Sequence, residues 1–556
     1  MTDLLLLQPP ALKPAEPPLA LAVLLAHLRA QGLSADAIDA NLAAYLYLLD
    51  GERLSARAGE TVETSLRRAL RHGSKSLNLL RSPAASQSFA RYNTAVRYLN
   101  RLLALWGSDH EHLTLGDYQH AGLSPFNPDH LQRVADGATQ TLFAPYFREE
   151  LLPQVIAQQP RIVAISVNFL HQVLPAFELA GLLRRALPDV LLVAGGGLIT
   201  SWQEPLQRLG LRLPVFDRLV FGPGETMLTA LARGESGDDY TLSDATTIGF
   251  APDFSFADIA AYFSPQPVLP LSSSRGCYWQ RCLFCPEAAA PVHRYTANRP
   301  AELPLLMREL AERYGVRHLQ LTDNAVPVNM LKTLAEQTES LADLNWFGFV
   351  RFEPILEDAP FVERLAGSGC RMLQLGLESG SQRVLDRLDK GVKLNSVERI
   401  LANLKSAGIA SYLYIMLGTP GETEDDAEQT LAFLEAHAAE IGFLNLSIMN
   451  LPRASGLLDN PAQYGIAAAA PVDSESPLSL YQTFQPGNSW DRSAARRFLE
   501  RRLLGSAAIR AIVNRTPPLF TSNHAVFFAG SESDRAGTFS RGCPRKTSPE
   551  GVPIHT

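Results

Sequence analysis

The chain has 556 residues, enough for two or three domains, with 46% hydrophobic and 19% charged residues, the profile of an ordinary globular protein. Its net charge of −7 gives no general pull toward nucleic acid, and no basic stripe with interleaved aromatics appears. The opening MTDLLLLQPPALKP has no basic lead and an apolar run of only four leucines, so it reads as neither signal peptide nor membrane span; the expected location is the cytoplasm.

Leu4–Leu7 reads as a buried strand stopped by Gln8-Pro9-Pro10, and Pro17–Gly32 as a helix with a glycine stop. Asp36–Asn41 is a weak second strand. Residues of about 50–155 form a mostly helical insert without a chemical motif. The pattern sharpens at Ile162–Asn168, a strand, followed by an amphipathic helix over Leu174–Leu187. Val190–Ala194 is a strand closed by Gly195-Gly196-Gly197, and Leu219–Gly222 another, closed by Pro223-Gly224-Glu225. Strands alternating with helices predict a parallel, doubly wound α/β sheet over residues 1–245, with ligands beyond the carboxyl ends of its strands.

The most informative stretch follows, Ser272–Glu287, reading SSSRGCYWQRCLFCPE. It holds Cys277, Cys282 and Cys285, three of the five cysteines in the chain. Three thiolates on one loop suit an iron–sulfur cluster, with one iron left open for a small molecule. Zinc is the alternative, but a closed zinc site wants four ligands; the nearest later histidine is His293 and no paired CxxC follows. A disulfide is unusual in a cytosolic chain.

Beyond the cysteines the alternation resumes. Ala301–Tyr314, Leu331–Leu341, Pro360–Ala366, Val397–Ala407 and Asp425–His437 read as helices. His318–Thr322, Trp346–Arg351, Met372–Gly376, Ser411–Leu417 and Phe443–Met449 read as strands. Repeated βα units over residues 250–455 suggest a (β/α) barrel, whose chemistry sits at the C-terminal strand ends. Asp323-Asn324, Arg351, Glu378-Ser379 and Glu422 fall there. Cys370 reads as a buried structural thiol. Residues 468–490 look like a linker or substrate-side loop, Ser493–Leu504 is a helix, and residues 456–535 are expected to be mostly helical. Residues 536–556, with the lone Cys543, read as a disordered tail.

The cysteine loop resembles that of the radical S-adenosylmethionine (SAM) superfamily, although its spacing is C-x4-C-x2-C where the family has C-x3-C-x2-C. The extra residue lies within Tyr278–Arg281, so the turn is expected to bulge. The resemblance implies a [4Fe-4S] cluster on Cys277, Cys282 and Cys285, a partial six-unit (TIM-type) barrel, SAM chelated to the open iron, and cleavage to a 5′-deoxyadenosyl radical. It also implies SAM contacts from Phe284, Asp323, Asn324, Glu378, Ser379, Gly418 and Glu422. Arg351 has two readings, a carboxylate partner of SAM or substrate, and a structural salt bridge.

The region 1–245 resembles the cobalamin-binding (Rossmann-like) domain found ahead of many such barrels. The matching positions are Gln8-Pro9-Pro10, Pro17-Pro18, Asp39 with Asn41, Ser166, Gly195, Gly196, Gly197, Thr200, and Asp217 leading into Gly222, Gly224 and Glu225. The D-x-H-x-x-G signature is absent, because Asp117, His120 and Gly122 have the wrong spacing. Cobalamin is therefore expected without a protein histidine on cobalt. The combined resemblance implies a cobalamin-dependent methyltransferase acting on an unactivated carbon or phosphorus centre through methylcobalamin. A non-methylating radical rearrangement, cyclisation or peptide modification is the alternative, and a corrinoid or redox sensor the reading from another class. Expected partners are a small-molecule or peptide substrate and an external electron donor such as flavodoxin or ferredoxin, with neither nucleic acid nor membrane. No catalytic residue can be assigned.

Overall fold

The computed structural model describes residues 3–59, 63–235, 251–289, 294–470 and 473–529. The tail 536–556, Cys543 and His293 lie outside them.

The leucine run forms strand β1 (Leu4–Gln8). Leu5 and Leu7 enter one apolar core, and Leu4 and Leu6 another. Successive side chains of a strand point to opposite faces, so a strand buried on both faces reads as a continuous apolar run. Helix Leu19–Ala30 covers one face and leads to β2 (Ala35–Asp39). Asp39 caps the next helix, Ala40–Leu48, by accepting from the Asn41 and Leu42 amides. The insert holds the helices Gly51–Ala58, Thr64–Leu80, Phe89–Leu103 and Pro128–Ala135. It also holds a hairpin, β3 (Glu111–Leu113) against β4 (Tyr118–His120). Its Tyr92, Val96 and Leu99 join the core of Leu5 and Leu7, so the insert blankets the second face of the sheet. Strands β5 (Ile162–Ser166), β6 (Leu191–Gly195) and β7 (Arg218–Leu219) complete a five-stranded parallel sheet in the order β2-β1-β5-β6-β7.

The second sheet begins at β8 (Val268–Leu271), a short apolar strand just ahead of the cysteine loop. The loop is framed by β9 (Ser274–Arg275) paired with β10 (Thr296–Ala297). Strands β11 (His318–Leu321), β12 (Asn345–Val350), β13 (Cys370–Glu378), β14 (Ala410–Leu417) and β15 (Phe443–Ile448) follow. All six barrel strands are parallel, in the order β8-β11-β12-β13-β14-β15, and the first and last do not pair. Leu373, Leu375 and Leu377 of β13 pack with the helical core, whereas Met372 joins the opposite core with Phe347, Tyr412 and Phe443. Helix Val328–Ala335 starts straight after Pro327, ahead of the expected Leu331, and ends short of the expected Leu341.

Two remote segments reach the inner faces of these strands. Lys13 Nζ donates to Thr521 Oγ1 at 3.1 Å, and Asn523 Nδ2 to Glu16 Oε1 at 3.0 Å. The Gln320 amide, on β11, faces the same Glu16 carboxylate and, with its nitrogen turned toward it, donates to Oε1 at 3.0 Å. Burial pushes the Glu16 carboxyl up to about 7 and the Lys13 ammonium down to about 8. The stretch read as a linker carries short antiparallel pairings: β16 (Leu451–Pro452) with β18 (Tyr481–Gln482), and β17 (Ile466–Ala469) with β19 (Phe484–Pro486). Among the described residues no helix is long and apolar enough to cross a membrane.

Candidate cofactor-binding cleft

The carboxyl ends of both sheets open onto one cavity of about 510 Å³. On the side of the first sheet its wall includes Ser166, Gly195, Gly196, Gly197, Gly222, Gly224 and Glu225. Thr200 stands behind the wall and ties it together: its hydroxyl donates to the Gly196 carbonyl and accepts from the Gly222 amide, both at 2.9 Å. Gly196 has φ +104°, and a Cβ there would stand 2.5 Å from the Val167 carbonyl oxygen. Its lack of a side chain is thus required by the chain's own backbone. Gly197 is different: a Cβ there meets only Asn168 Oδ1, at 3.9 Å. Leu6 and Val193 of the sheet, Val220 just beyond β7 and Leu24 of helix Leu19–Ala30 supply an apolar flank, and among the described residues no histidine lines the cavity. Of the three residues with the wrong signature spacing, Asp117 pairs with His171 at 2.8 Å in the β3–β4 turn.

The opposite wall includes Ser272, Arg275 and Gly276 from the start of the cysteine loop, with Thr322 and Asn324 beyond β11. The longer loop bulges at Gln280, which takes a left-handed φ of +49°. Trp279 lies between two guanidinium groups, Arg351 at 4.0 Å and Arg281 at 5.0 Å from the ring centroid. A side chain at Gly391 would collide with that ring. Such stacking holds the bulge by cation–π attraction. The Cys285 amide donates to the Cys282 carbonyl at 3.0 Å, and Leu283 is pinned to the Leu388 carbonyl at 3.0 Å.

Cys277, Cys282, Cys285 and Cys370 are all free thiols. Among the described residues no three His, Cys, Asp or Glu side chains converge as they would around one metal ion. A four-iron cluster spreads its thiolate ligands more widely than a single ion does, and the surroundings of Cys282 suit one. Burial pushes that thiol up, and the nearby Lys390 and Arg351 cations oppose the rise. Arg351 Nη1 lies 3.8 Å from the sulfur. Cationic neighbours favour thiolates, the form that binds iron. Cys370 is fully buried at the start of β13, and burial alone drives its thiol far up.

Lys390 is the hub that the sequence reading missed. Its ammonium reaches Glu378 Oε1 at 2.7 Å and stands 5.5 Å over the Phe284 ring, while its carbonyl accepts from Arg351 Nη2 at 2.6 Å. Glu378 itself has φ +69°, where β13 shifts register against β14. The structure therefore gathers Cys282, Phe284, Arg351 and Glu378 around one residue, Lys390. Arg351 also lies 3.4 Å from Glu353, so its structural salt bridge is real.

The other predicted residues are placed differently. Asp323 is buried and turned toward the cysteine loop; it accepts from the Ser273 amide at 3.0 Å and hydroxyl at 2.8 Å, and from the Ser274 hydroxyl at 2.5 Å. Only its neighbour Asn324 faces the cavity. Ser379 is fully buried, 3.0 Å from the Thr430 hydroxyl, and Glu422 closes its own loop by accepting from the Thr419 amide at 2.8 Å. Gly418, with φ +76°, packs against Ala495. None of these three lines the cavity. The motif positions correctly mark strand ends, but the side chains serve helix and loop closure, and burial pushes Glu422 up to about 7.

Residues 271–434 match the family model of the Radical SAM superfamily, so the chain carries a radical SAM domain. An uncharacterized methyltransferase of Pyrococcus horikoshii is 22% identical over 301 residues, 49% of this chain and 64% of that protein. The bacteriochlorophyllide d C-12(1)-methyltransferase of Chlorobaculum tepidum is 26% identical over 242 residues, 41% of this chain and 52% of that protein. The chain thus spans less than two thirds of these curated relatives. Among solved structures, the radical SAM methyltransferase TsrM from Kitasatospora setae, with cobalamin and a [4Fe-4S] cluster bound, superposes with a TM-score of 0.54 at 17% identity. That match covers 92% of this chain and 93% of that one. The cobalamin-dependent radical enzyme OxsB matches with a TM-score of 0.50 at 14% identity, over 90% of this chain and 61% of that one. The α/β fold, with its two parallel sheets, is the one these enzymes share.

Proposed function

We propose that the chain is a cobalamin-dependent radical SAM methyltransferase acting on a small molecule. One observation carries the reading. Seven positions expected to hold a corrinoid line the same cavity as the residues that open the cysteine loop. The relatives named above as methyltransferases, and the neighbour solved with cobalamin and a cluster, support it.

When bound, the cluster with SAM supplies an organic radical that removes a hydrogen atom from substrate, and cobalamin supplies the methyl group. The chain's own residues hold and orient these groups. Cys277, Cys282 and Cys285 ligate iron, and Arg351 and Lys390 offset the thiolate charge. Asn324 lines the cavity on the proposed SAM side, while Phe284 and Glu378 stand around Lys390 near Cys282. The glycine loops let a bulky ring approach backbone amides, while the apolar flank excludes water. Among the described residues no histidine lies in the wall, so a bound corrinoid would receive no imidazole from them. The electron comes from an external donor such as flavodoxin or ferredoxin.

The test is anaerobic reconstitution of the full chain with iron, sulfide, hydroxocobalamin and SAM, followed by addition of a low-potential reductant such as dithionite to reduce the cluster and the corrinoid. The expected result is a four-iron cluster, a bound corrinoid and release of S-adenosylhomocysteine. Electron paramagnetic resonance of the reduced corrinoid should show no splitting from an axial protein nitrogen. Cleavage of SAM without any corrinoid uptake would exclude methyl transfer through cobalt and leave the non-methylating alternative.

A further inference from the structure

Arg275 ends β9, two residues before Cys277, and its guanidinium crosses the cleft to Glu225 at the start of helix Glu225–Ala232. The two side chains keep only 16% and 9% of their surface exposed, so this pair is largely removed from water. It joins the two walls of the cavity directly: Glu225 follows the Gly222–Gly224 loop, and Arg275 precedes Gly276. An exposed ion pair constrains little, but breaking a buried one leaves an uncompensated charge and is strongly unfavourable.

The guanidinium is also only partly used. Its Nη1 is buried without a hydrogen-bond partner, although Arg275 lines the cavity. A guanidinium offers five donors in a fixed fork and no acceptor, and a buried charged donor left unmatched is costly. An oxygen acceptor on an occupant of the cavity would supply the partner that Nη1 lacks.

We propose that Arg275 is a positioning residue: it straps the cysteine loop to the glycine loops through Glu225, and its second amino group donates to a carbonyl or phosphate oxygen on the periphery of a bound corrinoid. This rests on the reading of the cavity as a corrinoid site. A SAM carboxylate offers the same oxygen chemistry, so the two ligands are titrated separately.

The experiment uses the anaerobically reconstituted full chain and its R275Q and R275K variants, titrated with hydroxocobalamin and, in parallel, with SAM. R275Q is expected to weaken hydroxocobalamin binding roughly tenfold or more, the usual consequence of losing a charged hydrogen bond. R275K keeps the charge and the pairing with Glu225 but not the fork. It should retain iron content and the circular dichroism of the wild type, yet bind hydroxocobalamin several-fold more weakly. Because R275K preserves the strap, a general folding failure of R275Q does not decide the matter. Unchanged hydroxocobalamin affinity in both folded variants, or a loss confined to SAM, overturns the inference while leaving the corrinoid reading intact. Failure of the wild type itself to take up hydroxocobalamin removes both.

Discussion

Gly196 and Gly197 stand side by side in the cavity wall, yet the structure gives them opposite roles, and two substitutions separate them. An alanine at Gly196 must hold φ near +104°, which costs an ordinary residue ~1–3 kcal/mol. Its Cβ would also press on the Val167 carbonyl oxygen at 2.5 Å and Asn168 Oδ1 at 2.8 Å, overpacking worth a further ~1–3 kcal/mol. Neither neighbour can step aside freely. Val167 O accepts from the Leu198 amide at 3.2 Å, and Asn168 Oδ1 from the Gly197 amide at 2.9 Å. Gly196→Ala should therefore destabilise the ligand-free protein by about 2–6 kcal/mol. Gly197→Leu meets open space and should leave that stability within about 1 kcal/mol, while its side chain projects into the cavity and weakens hydroxocobalamin binding by about tenfold or more. Urea unfolding followed by circular dichroism measures the first effect, and hydroxocobalamin titration the second. Equal stability of Gly196→Ala and wild type would refute the claim that Val167 dictates a glycine there.

Replacing Cys277, Cys282 and Cys285 together by alanine should abolish iron binding after anaerobic reconstitution, whereas Cys370→Ala should keep the wild-type iron content; retention of a full cluster by the triple variant would sink the assignment. Lys390→Met leaves the Glu378 carboxylate buried and unpaired and should cost about 3–5 kcal/mol in urea unfolding, largely recovered in the Lys390→Met/Glu378→Leu double variant. Glu16 titrates higher in the folded chain, at about 7 against 4.5, so the folded state binds its proton more tightly. That contribution is present below about pH 4.5 and is lost as pH rises through 7. Glu16→Gln should flatten this part of the stability profile, and an unchanged slope would show that Glu16 is not the group responsible.

Much of the architecture was legible because parallel strands buried on both faces leave unbroken apolar runs, and because glycines mark the strand ends. The leucines of β1 and the glycine triplet after β6 are such signals. β8 was passed over: four residues with a proline carry no periodicity, and only the neighbouring strand makes Val268–Leu271 a strand at all. The same limit governs the site. A strand-end motif fixes where Ser379 and Glu422 stand, but their orientation is decided by Thr430 and Thr419, contacts that local sequence does not encode. Lys390 was invisible for a related reason. It is brought to Glu378 by a turn in which Asp389 has φ +47° and Gly391 φ +69°, and only one of those residues advertises the conformation. Arg275 stands two residues before the first cysteine and Glu225 fifty residues earlier at the end of a glycine loop, so their pairing belongs to the tertiary fold.

The contacts of Lys13 with Thr521 and of Glu16 with Asn523 also bear on how the protein is made. Their partners are separated by 508 and 507 positions, so the inner face of the barrel near Gln320 stays unsealed until almost the whole described chain has left the ribosome. The cysteine loop, at residues 277–285, emerges well before that moment. The β9–β10 pair that frames the loop is complete by Ala297, so it can form while that seam is still open. Long-range contacts of this kind are late and slow to form. Framing of the cysteine loop and closure of this seam are then ordered by where two short segments stand in the chain.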